Sequence, residues 1–477
     1  MKTVDTFELI LKIENKVDIN VFRFRSFNTW PLVRQMLWYE LTRVKQHNSD
    51  KSKVVLIVRI FLKIKKVISA LYNSLLMQKS HTDDTKIFFS RPVFLQKLST
   101  GRYLDRIIDP IILSLDKNDN FSKYYVSKVS KSKQLDLPYF ELDAEIYRPV
   151  VVNFTPQQEL VIDEIYRLCE FDFDLCDFQD KYRNNLNLFI RWFDSANALL
   201  KSKPVLKEIY LSSWYFPDMM GICAAASKLG MKTIDVQHGK QGRHQAMYSG
   251  WTKIPKQGYN LIPDSFWCWG QPSCDHILAS SPNRNTHIPF IGGYPWIDYY
   301  RKNIAHRSTK TIKNSYKIRV LVVLQPLQHD NPEIIPDFIV SYLLCNKTKD
   351  AHFTFRMHPN DNSYPYCIKR LRGVSSSLYS IDLGESVLYD AFLSSTHHIT
   401  AYSSCAYEAE LFNLPTLLYG NESRKIYAED IGNNVFSWTE GNKNELEGWL
   451  SCNNYHKPER KCQYIDSRVD LTFIRSN

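Results

Sequence analysis

Short apolar segments alternate with helical segments along two stretches of this chain, and this alternation constrains the fold more than any other feature. Strands that alternate with helices are typical of parallel sheets. Ile318–Leu324 is almost continuous in Val and Leu, as expected for a strand covered on both faces. The predicted strands of the first stretch are Lys86–Ser90, Lys123–Val129, Glu208–Leu211, Thr233–Val236, Phe266–Trp269 and Ile288–Ile291. Those of the second stretch are Ile318–Leu324, His352–Phe355, His398–Ala401 and Thr416–Tyr419.

The length of 477 residues exceeds what one hydrophobic core normally organises, so the sequence predicts more than one domain. We expect an α/β protein with two Rossmann-like domains facing each other across a cleft, preceded by a helical N-terminal segment. The predicted bounds are 1–80 for the helical segment, 81–305 for the first Rossmann-like domain and 306–477 for the second. Helices are expected at Tyr103–Leu115 and from Pro156 to Lys203, among others.

Charge and cysteine content narrow the classes of function. The net charge of +11 and the pI near 8.9 favour an anionic partner, and the absence of a nucleic-acid-binding motif favours a nucleotide or lipid over nucleic acid. The ten cysteines contain no Cys-x-x-Cys pair, and the start from Met1 to Glu8 has acidic residues where a signal peptide is apolar. These features predict a protein of the reducing cytoplasm.

The segment Val54–Met77 is apolar but is interrupted by Arg59, Lys63, Lys65 and Lys66. It therefore lacks the roughly 20 apolar residues that a membrane-spanning helix needs. The pattern is that of a basic amphipathic helix, which can lie on anionic lipid at the inner membrane. It fits equally well a helix that packs on its own domain with a solvated basic face.

The first polar motif, Asp235-Val-Gln-His-Gly239, lies where a predicted strand ends, which is where ligands bind in open parallel sheets. The imidazole of His238 is suited to proton transfer near neutral pH, and Gly239 lets a ligand approach the backbone. We therefore expect Asp235 and His238 to be catalytic. The neighbouring residues expected to contact the acceptor or the donor are Gln237, Gly239, Lys240, Arg243 and His244.

The second half carries two further motifs at strand ends, Arg356-Met-His-Pro359 and Ser403-Ser404 followed by Glu408. Unpaired N–H groups at a helix start and serine hydroxyls favour an anion there, and a histidine can donate to the same phosphate. Glu408 can accept from ribose hydroxyls, although a plain serine cap with a first-turn glutamate explains the pattern as well. The residues predicted to bind the nucleotide are Arg356, His358, Pro359, Ser403, Ser404 and Glu408.

Taken in order, these motifs resemble those of bacterial capsule and O-antigen glycosyltransferases of the GT-B fold, and of the related teichoic-acid glycerophosphotransferases. The matching segments are Gln237-His238-Gly239, Phe266–Gly270, Gly293–Pro295, His358-Pro359 and Ser403-Ser404…Glu408-Ala409. The resemblance implies that the His-Pro and Ser-Ser elements hold the phosphate of a CMP- or CDP-linked donor. The segment Leu411–Pro415 departs from the small residue and glycine usual there, so the resemblance does not identify the base or the sugar.

We therefore expect a glycosyltransferase that needs no cofactor and moves a sugar from a nucleotide-activated donor to a capsule or O-antigen polysaccharide, either free or lipid-linked. An inverting mechanism would use His238 or Asp235 as base, and a retaining one would use Asp235 as nucleophile. No metal is expected, because Asp172-Phe-Asp174 lies in a helical stretch and is better explained as an acidic helix surface. Transfer of glycerol or ribitol phosphate, epimerisation of a nucleotide sugar and a non-catalytic assembly scaffold remain alternatives.

Overall fold

A computed structural model describes residues 6–42, 83–116, 119–144, 150–169, 174–242, 245–279, 284–305, 316–325, 334–345, 350–358, 363–452, 464–466 and 469. These residues form two compact units. The N-terminal unit contains the described residues up to Phe94 and from Asp105 to Gly293. The C-terminal unit contains Leu95–Leu104 and the described residues from Tyr294 to Val469.

The N-terminal unit is built on a parallel sheet with the strand order β11-β10-β9-β8-β3-β6-β7. The strands up to residue 291 are β1 (Arg23–Phe24), β2 (Phe27–Asn28), β3 (Lys86–Ser90), β4 (Leu95–Lys97), β5 (Tyr103–Asp105), β6 (Phe121–Tyr125), β7 (Phe140–Glu141), β8 (Glu208–Ser212), β9 (Lys232–Val236), β10 (Ser265–Cys268) and β11 (Ile288–Ile291). Strand β3 is buried along its whole length, and Phe88 and Phe89 have no exposed surface. From β3 the order continues through β6 to β7 at one edge. From β8 it continues through β9 and β10 to β11 at the other edge, so the direction reverses between β3 and β8, as in Rossmann sheets.

Helices cover this sheet. They are α1 (Thr6–Lys16), α2 (Trp30–Thr42), α3 (Asp109–Ile112), α4 (Pro156–Cys169), α5 (Leu175–Lys201), α6 (Pro217–Lys228) and α7 (Gln271–Leu278). Helices α5 and α6 pack closely because Gly221 has no side chain: a Cβ atom there would lie 2.7 Å from the backbone nitrogen of Phe193. At that distance a side chain at position 221 would force the two helices apart.

The C-terminal unit is a second parallel sheet, with the order β14-β13-β12-β15-β16-β17. Its strands are β12 (Ile318–Val323), β13 (Ala351–Arg356), β14 (Tyr379–Asp382), β15 (His397–Thr400), β16 (Thr416–Tyr419) and β17 (Ser437–Thr439). Its helices are α8 (Pro295–Asn303), α9 (Asp337–Cys345), α10 (Tyr364–Arg370), α11 (Leu388–Leu393), α12 (Cys405–Glu410), α13 (Asn421–Ile426), α14 (Ala428–Gly432) and α15 (Lys443–Ser451). Counted along the chain, the strand order is 3-2-1-4-5-6, the order of a dinucleotide-binding sheet. Two Rossmann-like α/β units are thus confirmed.

Several predicted elements differ from those observed. Tyr103–Leu115 is not one helix: β5 comes first, and Asp105 then accepts from the backbone of Ile107 and Ile108 in a turn before α3. The stretch Pro156–Lys203 contains two helices, and Asp174 caps the second by accepting from the backbone nitrogen of Asp177 at 2.8 Å. An acidic residue that bonds its own backbone favours such breaks over helix continuation.

Some predicted strands have different bounds in the structure, and some observed strands were not predicted. The predicted strand Lys123–Val129 begins two residues earlier, at Phe121, and ends at Tyr125. Strands β14 and β17 were not expected from the sequence. Both lie at sheet edges and are only partly buried, so they lack the continuous apolar run that marks a central strand.

The boundary between the two units falls between Gly293 and Tyr294, not at 305/306 as predicted. Helix α8 belongs to the C-terminal unit because the hydroxyl of Tyr300 donates to Asp390 at 2.6 Å and the ring lies 4.9 Å from that of Tyr389. The segment Leu95–Leu104 also belongs to that unit. The polar stretch after residue 301 has the composition of a linker and therefore suggested a later boundary. The contacts of Tyr300 are not visible in the sequence.

The predicted N-terminal segment 1–80 is described from residue 6 to 42, and these residues are part of the N-terminal unit. Arg34 of α2 forms a fully buried ion pair with Glu14 of α1. The same guanidinium donates to the carbonyl oxygens of Ala246 at 2.8 Å and Ser249 at 2.9 Å. The two helices therefore hold the loop that follows β9.

The predicted amphipathic helix Val54–Met77 lies outside the described residues. Of the helices that the structure does describe, none combines the length and the apolar character needed to cross a bilayer.

Replacing Arg34 by methionine should destabilise the N-terminal unit by about 3–5 kcal/mol, because the carboxylate of Glu14 would stay buried without its cation. Lys16→Met is the matched control, since Lys16 is half-exposed and lies 3.8 Å from Glu164. That change should cost less than about 1 kcal/mol. Calorimetry of the full chain measures both effects, and equal losses in the two variants would contradict a structural role for the buried pair.

Candidate functional site

Each sheet has one place where strand succession reverses, and ligands of open α/β sheets bind there, beyond the carboxyl ends of the strands. In the N-terminal unit this place lies between β3 and β8, which are followed by Arg91 and Ser213. His238 follows β9, the neighbour of β8. In the C-terminal unit the corresponding strands are β12 and β15, and Ser403 and Ser404 follow β15. The predicted motifs therefore lie at, or one strand away from, these places.

His238 is held by two hydroxyl groups that follow β8. Its Nε2 lies 3.3 Å from Ser213 Oγ and 3.2 Å from the hydroxyl oxygen of Tyr215. The ring of Phe94 lies on another side, with its centroid 5.4 Å from that of the imidazole. Nδ1 is buried and has no hydrogen-bond partner among the described residues. A buried nitrogen without a partner costs about 1–3 kcal/mol, which a ligand can recover.

The surroundings of His238 favour the neutral imidazole. Burial, together with the positive charges of Arg106 and Arg91, lowers the pKa of His238 to about 3. The ring is therefore uncharged near neutral pH and can accept a proton once a negative charge enters the site.

Ser213 adopts a backbone conformation that serine rarely takes, with φ of +59°. Such a conformation costs on the order of 1–3 kcal/mol and persists where the surroundings enforce it, often at ligand sites. Here it turns the chain between β8 and α6 and places the hydroxyl beside His238. Sequence reasoning missed Ser213, Tyr215 and Arg91, although each follows a predicted strand directly or closely.

Asp235 lies in β9 with no exposed surface. The backbone nitrogen of Trp214 donates to one carboxylate oxygen at 3.1 Å, and the hydroxyl of Tyr248 donates to the other at 2.8 Å. Burial raises the pKa of Asp235 to about 8. In the described part of the chain no hydrogen bond joins Asp235 to His238. This geometry favours a positioning role for Asp235, whose side chain fixes the segments on either side of His238.

Gln237 shapes the turn that carries His238. Its side-chain oxygen accepts from the backbone nitrogen of Trp269 at 2.6 Å, and its amide donates to the carbonyl of Gly239 at 2.9 Å. Gln237 is buried, whereas Gly239 and Lys240 are partly exposed at the edge of the site. The predicted contact residues Arg243 and His244 lie outside the described residues.

In the C-terminal unit, Arg356 is buried within the protein. It pairs with Asp382 at the end of β14 and donates to Ser386 Oγ at 3.0 Å and to the carbonyl of Gly384 at 3.2 Å. These bonds occupy the guanidinium, so Arg356 fixes the loop after β14. The sequence shows that Arg356 lies at a strand end, and the residue was therefore predicted to contact a phosphate. It does not show these partners within the protein.

His358 is exposed beyond the end of β13, and the predicted Pro359 lies outside the described residues. Ser403 accepts from the backbone nitrogen of Cys405 at 3.4 Å. Ser404 occupies the position just before α12, yet its hydroxyl makes no capping bond. Of the two serines, Ser404 is the one whose hydroxyl is not committed to the start of the helix.

Glu408 is buried in α12 and is held by two tyrosines. The hydroxyl of Tyr389 donates to its carboxylate at 2.6 Å, and that of Tyr294 lies 3.5 Å from the same oxygen. Neither tyrosine was expected from the sequence, because each is more than ten residues away from Glu408. A carboxylate accepts up to about four hydrogen bonds, so the two tyrosine hydroxyls do not by themselves saturate it.

Within the described ranges, no three side chains of His, Cys, Asp or Glu come together in a way that could hold a metal ion. Of the predicted alternative Asp172-Phe-Asp174, only Asp174 is described, and its carboxylate caps α5.

The burial of Asp235 predicts a pH dependence of stability. Its folded pKa of about 8 exceeds the ordinary value of 3.8, so its contribution is complete below about pH 4 and is lost as the pH rises toward 8. Relative to the wild type, Asp235→Asn should therefore gain stability by up to about 1.4 kcal/mol per pH unit across that window. Urea unfolding at pH 5, 6, 7 and 8 tests this. Asp180→Asn, at an exposed acid, should run parallel to the wild type, and a parallel Asp235→Asn curve would refute the prediction.

Comparisons with known proteins bear on the fold. The sequence matches no protein-family model and no curated protein. The structure is similar to the UDP-GlcNAc 2-epimerase of Methanocaldococcus jannaschii, with 16% identity and a TM-score of 0.50 over 82% of this chain and 98% of that one. It is also similar to the UDP-GlcNAc 2-epimerase of Neisseria meningitidis bound to UDP-GlcNAc, with 13% identity, a TM-score of 0.50 and the same two coverages, 82% and 98%. These similarities show that the two Rossmann-like units have the GT-B fold.

Proposed function

We propose that this protein is a metal-independent glycosyltransferase that moves a sugar from a nucleotide-activated donor to a hydroxyl group of a bacterial surface polysaccharide. The observation that carries this proposal is the environment of His238. A neutral imidazole is held at Nε2 by two hydroxyls, and Nδ1 is buried without a partner among the described residues. This arrangement suits a base that takes a proton from an incoming hydroxyl.

In this mechanism Nε2–H of His238 donates to one of the two hydroxyl oxygens, which leaves the lone pair on Nδ1 for the acceptor. The acceptor hydroxyl passes its proton to Nδ1 as its oxygen bonds to the anomeric carbon. The bond from that carbon to the phosphate oxygen breaks, and the negative charge passes to the nucleotide. Asp235 has no exposed surface, so the geometry favours His238 as base and an inverting outcome over double displacement.

The donor is assigned to the C-terminal unit. Ser404, whose hydroxyl makes no capping bond, and His358 would supply donors for the departing phosphate beyond the carboxyl ends of that sheet's strands. Glu408, already bound by Tyr389, is proposed to accept from a ribose hydroxyl. Arg356 would act indirectly, by fixing the loop after β14.

A second candidate function is epimerisation of a nucleotide sugar. It is favoured by the two similar structures, both of which are UDP-GlcNAc 2-epimerases. An epimerase needs no acceptor and leaves the bond between sugar and nucleotide intact in its product. A transferase releases nucleotide only when an acceptor is present.

The test begins with thermal shifts of the full chain with CMP, CDP, UDP, GDP and TDP, because at equal concentration the nucleotide that binds most tightly stabilises the fold most. The sugar-linked form of the best nucleotide is then incubated with and without glycan acceptor. Nucleotide release that requires acceptor supports glycosyl transfer. Epimerised nucleotide sugar in both reactions would support the second candidate. A product that retains the donor phosphate would indicate polyol-phosphate transfer, and failure of all five nucleotides to bind would favour a scaffold.

Two histidine variants should separate catalysis from donor binding. His238→Asn should lower kcat by about 100-fold or more while leaving nucleotide affinity unchanged. His358→Asn should weaken nucleotide binding by about 1.5–3 kcal/mol, the usual loss for a hydrogen bond to a charged group. Calorimetric titration and steady-state kinetics of both variants measure the difference. If His238→Asn turned over normally, the Gln-His-Gly turn would be structural and the chemistry would lie elsewhere.

The cytoplasmic location stays a prediction. Contact with the inner membrane through residues 54–77 also stays a prediction, because that segment lies outside the described residues.

A further inference from the structure

Ser404 lies between two residues that are each held by a side chain from another element. On one side, the carbonyl of Ser403 accepts from the hydroxyl of Tyr427 at 2.7 Å. On the other side, Sγ of Cys405 lies 3.6 Å from Nε2 of His398 in β15. Tyr427 and His398 have no exposed surface, and the hydroxyl of Ser404 makes no capping bond. The backbone on both sides of that hydroxyl is therefore fixed from outside α12.

The contact between His398 and Cys405 is one end of a directed chain of hydrogen bonds. At the other side of the ring, Nδ1 of His398 lies 3.1 Å from Oγ1 of Thr416, its partner residue in β16. The hydroxyl of Thr416 donates to the carbonyl of Leu414 at 3.3 Å. A hydroxyl has only one proton, so Thr416 must accept from Nδ1–H. The lone pair of the ring is then on Nε2, which accepts from the thiol of Cys405.

This chain is neutral across the ordinary pH range. Burial lowers the pKa of His398 to about 3 and raises the pKa of the Cys405 thiol to about 12. A neutral chain avoids the large cost of burying a charge. Apolar side chains could fill the same space, but they would not fix the direction in which Cys405 leaves β15 and enters α12. The chain therefore supplies orientation in addition to packing.

We propose that His398 and Tyr427 are positioning residues that hold Ser404 ready for the phosphate of the donor. The inference rests on the proposed function, in which Ser404 donates to that phosphate, and adds the residues on which its orientation depends. A hydroxyl that is already oriented loses less conformational freedom when a ligand binds, so affinity is higher. Both residues act through the neighbours of Ser404 and are assigned no contact with the ligand.

The chain offers a matched control for His398 one residue away. His397 is also a buried histidine of β15, but successive residues of a strand point to opposite faces, and its ring lies 5.0 Å from that of Trp449 in α15. The probe is the tightest binder among CMP, CDP, UDP, GDP and TDP, titrated calorimetrically into the full chain. His398→Leu should weaken its binding by about three- to tenfold, the usual effect of losing one hydrogen bond or slightly more. His397→Leu should leave the affinity unchanged even where it lowers the free energy of unfolding as much.

Tyr427→Phe tests the other side of Ser404 and removes one oxygen atom only. It should weaken binding of the same nucleotide by about two- to fivefold. Tyr259→Phe is its control, because the hydroxyl of Tyr259 donates to the carbonyl of Lys253 at the same distance of 2.7 Å, in the N-terminal unit. Cys405→Ser keeps a donor for the ring and should retain most of the affinity, whereas Cys405→Ala should not. These variants also cover the case in which His398→Leu fails to fold.

A Ser404→Ala background distinguishes positioning from a general effect on the fold. In that background His398→Leu and Tyr427→Phe should cost little further affinity, because the hydroxyl that they orient is gone. Fully additive losses, or losses in the control variants as large as those in the test variants, would overturn the inference and leave the proposed function standing. A wild-type chain that binds none of the five nucleotides would remove the proposed donor site and the inference with it. Nucleotide binding with the expected pattern but without sugar transfer would remove only the proposed activity.

Discussion

The carboxyl group of Asp235 joins its own strand to segments 21 residues before it and 13 residues after it, and the arrangement around His238 depends on it. One oxygen holds the backbone of Trp214, which lies between Ser213 and Tyr215, the two residues that contact the imidazole. The other oxygen holds Tyr248, whose loop is anchored from the far side by Arg34. Loss of this carboxylate would therefore loosen the two hydroxyl contacts of His238 without touching the ring itself.

Asp235 belongs to a wider pattern in this tyrosine-rich chain, in which tyrosine hydroxyls satisfy acidic groups. A neutral hydroxyl can satisfy a carboxylate without adding a second charge that would itself need solvation, so the desolvation cost is lower than for an ion pair. The pairs occur in both units, and most of them join different elements of the same unit. They are Tyr248–Asp235, Tyr210–Glu208, Tyr389–Glu408, Tyr300–Asp390 and Tyr407–Asp430, at 2.6–2.9 Å. Several of the 28 tyrosines thus have a structural role that composition alone does not reveal.

The sequence predicted both sheets and placed His238 and Ser404 at strand ends, because buried central strands such as β3 and β12 are marked by apolar runs. It failed where a residue's role is set by distant partners. Asp235 and Arg356 are polar residues at or near the ends of buried strands, and from the sequence alone they look like ligand-binding groups. Only the positions of Trp214 and Tyr248, or of Asp382 and Ser386, show that their polar atoms are already bonded within the protein.

The contact between Arg34 and the loop after β9 also sets the order in which the chain can fold during synthesis. The acceptors of its guanidinium, Ala246 and Ser249, are added about 205 residues after α2 is complete. At about 5–20 residues per second, the ribosome needs roughly 10–40 s to reach them. Until then Arg34 and Glu14 cannot be buried as they are in the finished unit, and the apolar faces of α1 and α2 have no loop to pack against. Helices α1 and α2 thus leave the ribosome well before the contacts that bury Arg34 can form, and during this interval they are exposed to chaperones and proteases.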